Sequence, residues 1–173
     1  MNELKLANLS NIDEIMQIIS DAKLYLKKQG LKQWNLADGY PNKSDLINDI
    51  NQNECYIYLI DNTIVGVMVI METPDENYNE IDGKWLTNQK YASIHRIAVK
   101  MNYHHKQIGS KMLLAAEDII KNKNITSIKV DTHKLNIPMI KTLENLNYTY
   151  CGIIKLKRSN EDNLRLAYEK LIK

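Results

Sequence analysis

The stretch from Ile94 to Leu114, IHRIAVKMNYHHKQIGSKMLL, limits the possible folds more than any other part of the chain. Its opening residues continue a strand that runs Tyr91 to Val99, and Ile108, Met112, Ala115 and Ile119 recur at helical spacing from about Lys106. A strand therefore feeds a short polar turn that opens directly into a helix. The first N–H groups of a helix lack internal partners and carry partial positive charge, so such a turn can hold a pyrophosphate largely through main chain. Gly109 allows close backbone approach, and His104, His105 and Lys106 add positive charge or donors. The residues alone fit a plain strand-to-helix connection with a solvated basic turn equally well.

Apolar spacing supplies the remaining elements. Glu3 to Ala7 alternate as a short strand, and Ser10 with Asp13 gives a helix-start signal of the capping-box type. Ile12, Ile15, Ile18, Ile19, Ala22 and Leu26 then mark a helix that stops at Gly30, and a second short helix starts at Ser44. From Cys55 to Met71, two apolar runs flank Asp61 and Asn62 and read as a hairpin, followed by a polar loop from Glu72 to Lys90. A strand SIKVDTH comes next, then a helix from near Asn136 to about Asn147 with Pro138 in its first turn. Tyr148 to Leu156 and Leu164 to Ile172 form a closing hairpin around KRSNEDN. The order of elements predicts a mixed α/β sheet of about seven strands with four helices. A length of 173 residues suits one domain, residues 1–173, rather than two.

With HHKQIG at 104–109, IHRIAV before it and DTHKLNIPM and YCGII after it, the chain resembles the GNAT superfamily of N-acetyltransferases. The signature of that family is Arg or Gln, two residues, Gly, one residue, then Gly or Ala, and the resemblance extends over most of the chain. It implies a centrally splayed sheet, acetyl-CoA as co-substrate, and transfer of its acetyl group to a primary amine by direct attack in a ternary complex. It also implies that His104, His105, Lys106, Gln107, Ile108, Gly109 and Ser110 hold the cofactor's diphosphate. Main-chain N–H groups of Ile97, Ala98 and Val99 then serve the pantetheine arm and the oxyanion, and Asn136 matches a family Asn beside the cofactor. Two departures stand out. His104 and Gln107 occupy the slots of the usual Arg or Gln and of the first Gly, and Leu143 stands where the family often has a Tyr that protonates the leaving thiolate. A thiol with pKa near ~8.5 leaves readily without a strong acid. Water, Asn136 or His133 are substitutes for that Tyr, with Tyr148 and Tyr150 as alternatives. A catalytically weak or inactive acyl-CoA-binding module is the alternative reading.

An amine of pKa ~10.4 must lose a proton before it attacks a thioester, and histidine suits that task. His95 lies on the strand that the resemblance places beside the cofactor, and alternation puts it with Ile97 and Val99, opposite Arg96. A buried histidine bonded to a neighbour is the competing reading. Asp131 and His133 are two apart, so on a strand the carboxylate can orient the imidazole. By resemblance the acceptor site is built around Trp34, Tyr40, Trp85 and the acidic Asp38, Asp75, Glu76, Glu80 and Asp82. The blander account makes the tryptophans packing anchors and the carboxylates a solvated loop.

Composition narrows the partners. With 23 Lys plus Arg against 21 Asp plus Glu, the net charge of +2 gives no reason to expect nucleic acid or an acidic membrane. Cys55 and Cys151 stand alone in apolar runs, which suits reduced thiols in a cytoplasmic protein. No leader-like segment or long apolar run is expected to export or insert the chain. The adjacent His104 and His105 have no metal-ligand spacing, so no metal is expected. A small-molecule or peptide amine is the expected partner, and a homodimer through the closing hairpin stays open.

Overall fold

The computed structural model describes residues 2–34, 39–158 and 162–173. Among them run β1 (Asn2–Leu6), α1 (Ile12–Lys28), α2 (Lys43–Asn51), β2 (Cys55–Ile60), β3 (Thr63–Met71), β4 (Ile81–Gly83), β5 (Ala92–Val99), α3 (Ile108–Asn122), β6 (Ser127–Thr132), α4 (Ile137–Asn145), β7 (Thr149–Lys155) and β8 (Leu164–Leu171). The eight strands form one mixed sheet in the order β1-β2-β3-β5-β6-β8-β7-β4. The β5–β6 ladder is parallel, with Ala92 opposite Ile128 and Ser93 opposite Lys129. The chain packs as two compact units, one formed by residues up to Ile70 with Arg96–Ala116, the other by Met71–His95 with Glu117–Lys173.

In the first unit, α1 forms because Ile15, Ile18 and Ile19 fall on one face, and all three are buried. Burying each is worth about 2 kcal/mol relative to exposure. Its start differs from the Ser10–Asp13 expectation: Asn8 and Asn11 form the reciprocal capping box and open a short 3-10 turn, Leu9–Asn11, ahead of the helix. A second box, Asn42 with Asp45, starts α2. β2 and β3 pair antiparallel across Asp61 (φ 47°) and Asn62 (φ 64°), the two left-handed residues that a tight hairpin turn requires.

In the second unit, β6, β8 and β7 are antiparallel neighbours, and β4 adds to β7. β4 is the strand that the predicted seven omit, because three residues inside the 72–90 loop are too few to show a period. Backbone contact makes it. Gly83 (φ 139°) sits opposite Gly152 (φ 145°), and a Cβ at Gly83 would lie 2.1 Å from the Cys151 carbonyl oxygen. α4 is capped by Asn136, whose Oδ1 accepts the Met139 N–H, with Pro138 in the first turn where its missing N–H does no harm.

Candidate functional site

Within the first unit, β5 ends at Val99 and a 3-10 turn, Met101–Tyr103, leads to the polar residues that open α3 at Ile108. The segment 105–107 is exposed, and His105 (φ 63°) and Gln107 (φ 58°) are left-handed. The first amides of α3, at Ile108, Gly109 and Ser110, have no acceptor within their own helix. A Cβ built on Gly109 meets nothing within 4 Å, so space at that backbone is open. These features fit a bound diphosphate.

The histidines of this turn differ. His104 is half-buried, its Nε2 lies 2.9 Å from the Val99 carbonyl oxygen, and its ring meets Tyr25 edge-on at 5.1 Å. A carbonyl only accepts, so the proton is on Nε2 and the ring fastens the turn to the end of β5. His105 is exposed, and Lys106 Nζ lies 4.8 Å from the centre of the Tyr103 ring. Of the strand residues, Ala98 is buried while Ile97 and Val99 are half-buried.

Arg96 interrupts β5 with a left-handed φ of 52°. The period-two argument that grouped His95 with Ile97 and Val99 assumes a regular pleat and does not carry across that residue. Arg96 NH1 stands 3.5 Å from Asp49 Oδ2, and the guanidinium lies 5.3 Å over Tyr40. Burial, reinforced by the Asp49 charge and opposed by that of Arg96, raises the Cys55 thiol to about 12.

The second unit holds His95 between two carboxylates. Nε2 lies 3.2 Å from Asp75 Oδ2, without hydrogen-bond alignment, and Nδ1 lies 3.9 Å from Asp131 Oδ2. Asp131 Oδ2 also accepts the Tyr78 hydroxyl at 2.8 Å, and Asp75 Oδ1 accepts the Asn77 N–H at 2.8 Å. Burial alone would raise the Asp75 carboxyl, but His95 and the Asn77 N–H together hold it below the usual range. The buried Tyr78 phenol is pushed far upward by desolvation and by the Asp131 charge, so it stays a donor.

The expected Asp131–His133 pair is corrected here. β6 ends at Thr132, so strand alternation does not reach His133. His133 is buried, its Nε2 faces both oxygens of Asp162 at 2.9 Å, and its Nδ1 accepts the Leu135 N–H at 3.1 Å. The carboxylate of Asp131 serves Tyr78 and His95 instead.

Trp85 donates Nε1–H to the Tyr78 carbonyl and packs against the Tyr78, Ile154 and Ala167 cluster. Trp34 is half-buried with φ 56°, in the first unit. Asp38 lies outside the described residues. Glu76 and Glu80 line a cleft of about 350 Å³ in the second unit together with Asn77, Lys155, Lys157 and Asn163. Leu143 is fully buried. Tyr148 is buried and Tyr150 is exposed. Among the described residues, no group of three or more His, Cys, Asp or Glu is placed to hold a metal, and no helix is long and apolar enough to cross a membrane.

Sequence reading missed Tyr78, Tyr91 and the pairing of Asp75 with His95. The Asp75–Asn77 spacing is a turn signal that marks where the segment bends, but nothing local shows that it reaches β5.

Residues 13–148 match the model of the Acetyltransferase (GNAT) family. No curated protein matches the chain. Among solved structures, a GNAT-family acetyltransferase from Streptococcus agalactiae 2603 is 30% identical, with a TM-score of 0.90 over 99% of this chain and 96% of that one. Two more distant structures share the fold. PaiA N-acetyltransferase from Thermoplasma acidophilum, in complex with coenzyme A, is 18% identical with a TM-score of 0.68 over 99% of each chain. The ribosomal-protein-S18-alanine N-acetyltransferase from Escherichia coli is 12% identical with a TM-score of 0.67, covering 100% of this chain and 95% of its own.

Proposed function

The chain belongs to the GNAT family of acetyltransferases, and from that premise we propose that it transfers the acetyl group of acetyl-CoA to a primary amine of a small molecule or peptide, by direct attack in a ternary complex. The observation that carries an amine as acceptor is His95, half-buried between Asp75 and Asp131. In this reading His95 takes the proton of the amine, directly or through water, and the two carboxylates stabilise the resulting imidazolium. The freed amine forms the C–N bond at the thioester carbon, main-chain N–H groups of Ile97–Val99 meet the oxyanion, the C–S bond then breaks, and the nitrogen gives its second proton to water. The thiolate leaves as such or takes a proton from water, because both ring nitrogens of His133 are engaged.

Acetyl-CoA as co-substrate is supported by the exposed turn at 105–107 and the open backbone at Gly109. Asn136, already capping α4, stays a candidate contact. Trp34 stays a candidate for the acceptor, whereas the packing of Trp85 favours a structural part. Glu80 is the carboxylate we assign to attracting a cationic amine, since Glu76 already pairs with Lys157 at 3.3 Å and Asp75 with His95 at 3.2 Å. We further read residues 1–173 as one domain, because the family model spans segments of both units. The two buried free thiols support a cytoplasmic location. A homodimer is open to light scattering.

The test mixes the protein with acetyl-CoA and a panel of polyamines, amino acids, aminoglycosides and peptides, and follows free thiol. Release with at least one acceptor is expected. No release with any of them, and no calorimetric binding of acetyl-CoA, removes the proposal. One observation favours a second reading, a CoA-binding module without turnover: Leu143 buries an apolar side chain where the family often has its acid. Binding without thiol release supports that module.

A further inference from the structure

Lys129 is a cation in an unusual place. It projects from β6, is only 4% exposed, and holds its ammonium 4.1 Å from the centre of the Tyr91 ring and 4.2 Å from that of Trp85. The ladder sets it opposite Glu169 of β8, whose carboxylate is fully buried and accepts the Leu86 N–H and the Ser127 hydroxyl, each at 2.6 Å. An ammonium in so dry a site is held by the faces of the rings and by that charge. Desolvation lowers its pKa, with Glu169 opposing.

The two rings that clamp Lys129 are tied at their polar ends to the main chain of Asp75 and of Tyr78. The Tyr91 hydroxyl accepts the Asp75 N–H at 3.0 Å. Trp85 donates to the Tyr78 carbonyl at 3.0 Å and packs on the Tyr78 ring at 5.2 Å, and Tyr78 donates its hydroxyl to Asp131. One cation thus anchors two aromatic arms: one holds the main chain of Asp75, and the other reaches the Asp131 carboxylate through Tyr78.

We propose that Lys129 is a positioning residue for the transfer reaction: its ammonium locks the Trp85–Tyr78–Tyr91 frame that presents Asp75 and Asp131 to His95. The assignment rests on the reading of His95 as the base for the amine. Trp85, expected on resemblance near the acceptor, becomes a strut of this frame.

The experiment follows the Asp75 carboxyl by ¹³C NMR through a pH titration, which needs no acceptor. The groups facing it are His95 on β5, Asn77 and Tyr78 on its own turn and Tyr91 before β5, with Asp131 of β6 beyond the imidazole and Arg165 of β8 within reach of the Asp131 charge. Lys129→Met keeps the stem and removes the charge. We expect the Asp75 midpoint to rise, because the carboxylate moves away from His95 and from the Asn77 N–H while burial persists, and Lys129→Arg, which keeps a cation over the rings, to raise it less. Tyr91→Phe keeps the ring and deletes the hydroxyl, so it should also raise the midpoint, and it decides the matter if Lys129→Met fails to fold. An unmoved Asp75 in a folded Lys129→Met or Tyr91→Phe protein overturns the frame, whatever His95 does. A displaced Asp75 alongside a His95→Ala enzyme that turns over at the parent rate leaves the frame standing and removes only the base assignment.

Discussion

The turn that opens α3 and the cluster around His95 rely on different atoms. In the first, the useful donors are main-chain amides at Ile108–Ser110, and side chains such as His104 hold the turn in place. In the second, the groups around the imidazole are side chains, gathered from Asp75, Tyr78, His95 and Asp131, which are up to 56 positions apart in the chain. A site made of amides tolerates substitution as long as the backbone keeps its path. That is why the departures at His104 and Gln107 leave the turn exposed and open. A site made of side chains has no such tolerance, and each member matters through what it touches.

Four measurements press on that contrast. The largest effect is expected for His95→Ala, which should lower kcat ~100-fold while acetyl-CoA binding by calorimetry stays the same. Unchanged rates across the pH range would remove His95 from the mechanism. Gly109→Ala comes next. The methyl has room and favours a helix by up to ~1 kcal/mol, so the melting temperature should hold or rise, whereas acetyl-CoA affinity should fall ~10-fold if a phosphate occupies that space. Equal affinity would place the diphosphate elsewhere. His104→Ala should cost about 1 kcal/mol of stability by losing its bond to Val99, with a few-fold weaker cofactor binding. Loss of stability without any change in binding would separate the turn from the cofactor.

The smallest effect concerns acid. Asp75 has its folded pKa held below the unfolded one, so the stability it contributes is full above the unfolded value near ~3.9 and is lost as pH falls through the lower folded value. Urea unfolding of Asp75→Asn at pH 6 and at pH 3 should therefore show less acid sensitivity than the parent, and equal sensitivity would mean that Asp75 is not stabilised by its neighbours.

How legible each region was in the sequence follows from the same difference. The helical spacing of Ile15, Ile18 and Ile19, the Asp61–Asn62 turn and the strand-to-helix passage are local patterns, and each element appears within a few residues of its expected place. The turn that opens α3 was readable for that reason. The carboxylate partner of His133 was misread because β6 stops one residue short of it and the carboxylate comes from Asp162, 29 positions away. Asp75 was visible only as one acid in a polar loop. Nothing adjacent to it in the sequence encodes its distance from His95, which depends on how the 72–91 segment folds back over Lys129 and Asp131. Left-handed Arg96 was equally hidden, since an arginine in an alternating run carries no mark of positive φ.

The paired glycines at 83 and 152 also bear on how the protein avoids its own copies. The strand they join to β7, β4, is three residues at the rim of the sheet, and two of the three, Asp82 and Gly83, are a charge and a bare backbone. A neighbouring molecule looking for a strand to extend finds too few amides in a row, beside a carboxylate that repels its like, so the rim that the hairpin leaves open is a poor seed for aggregation.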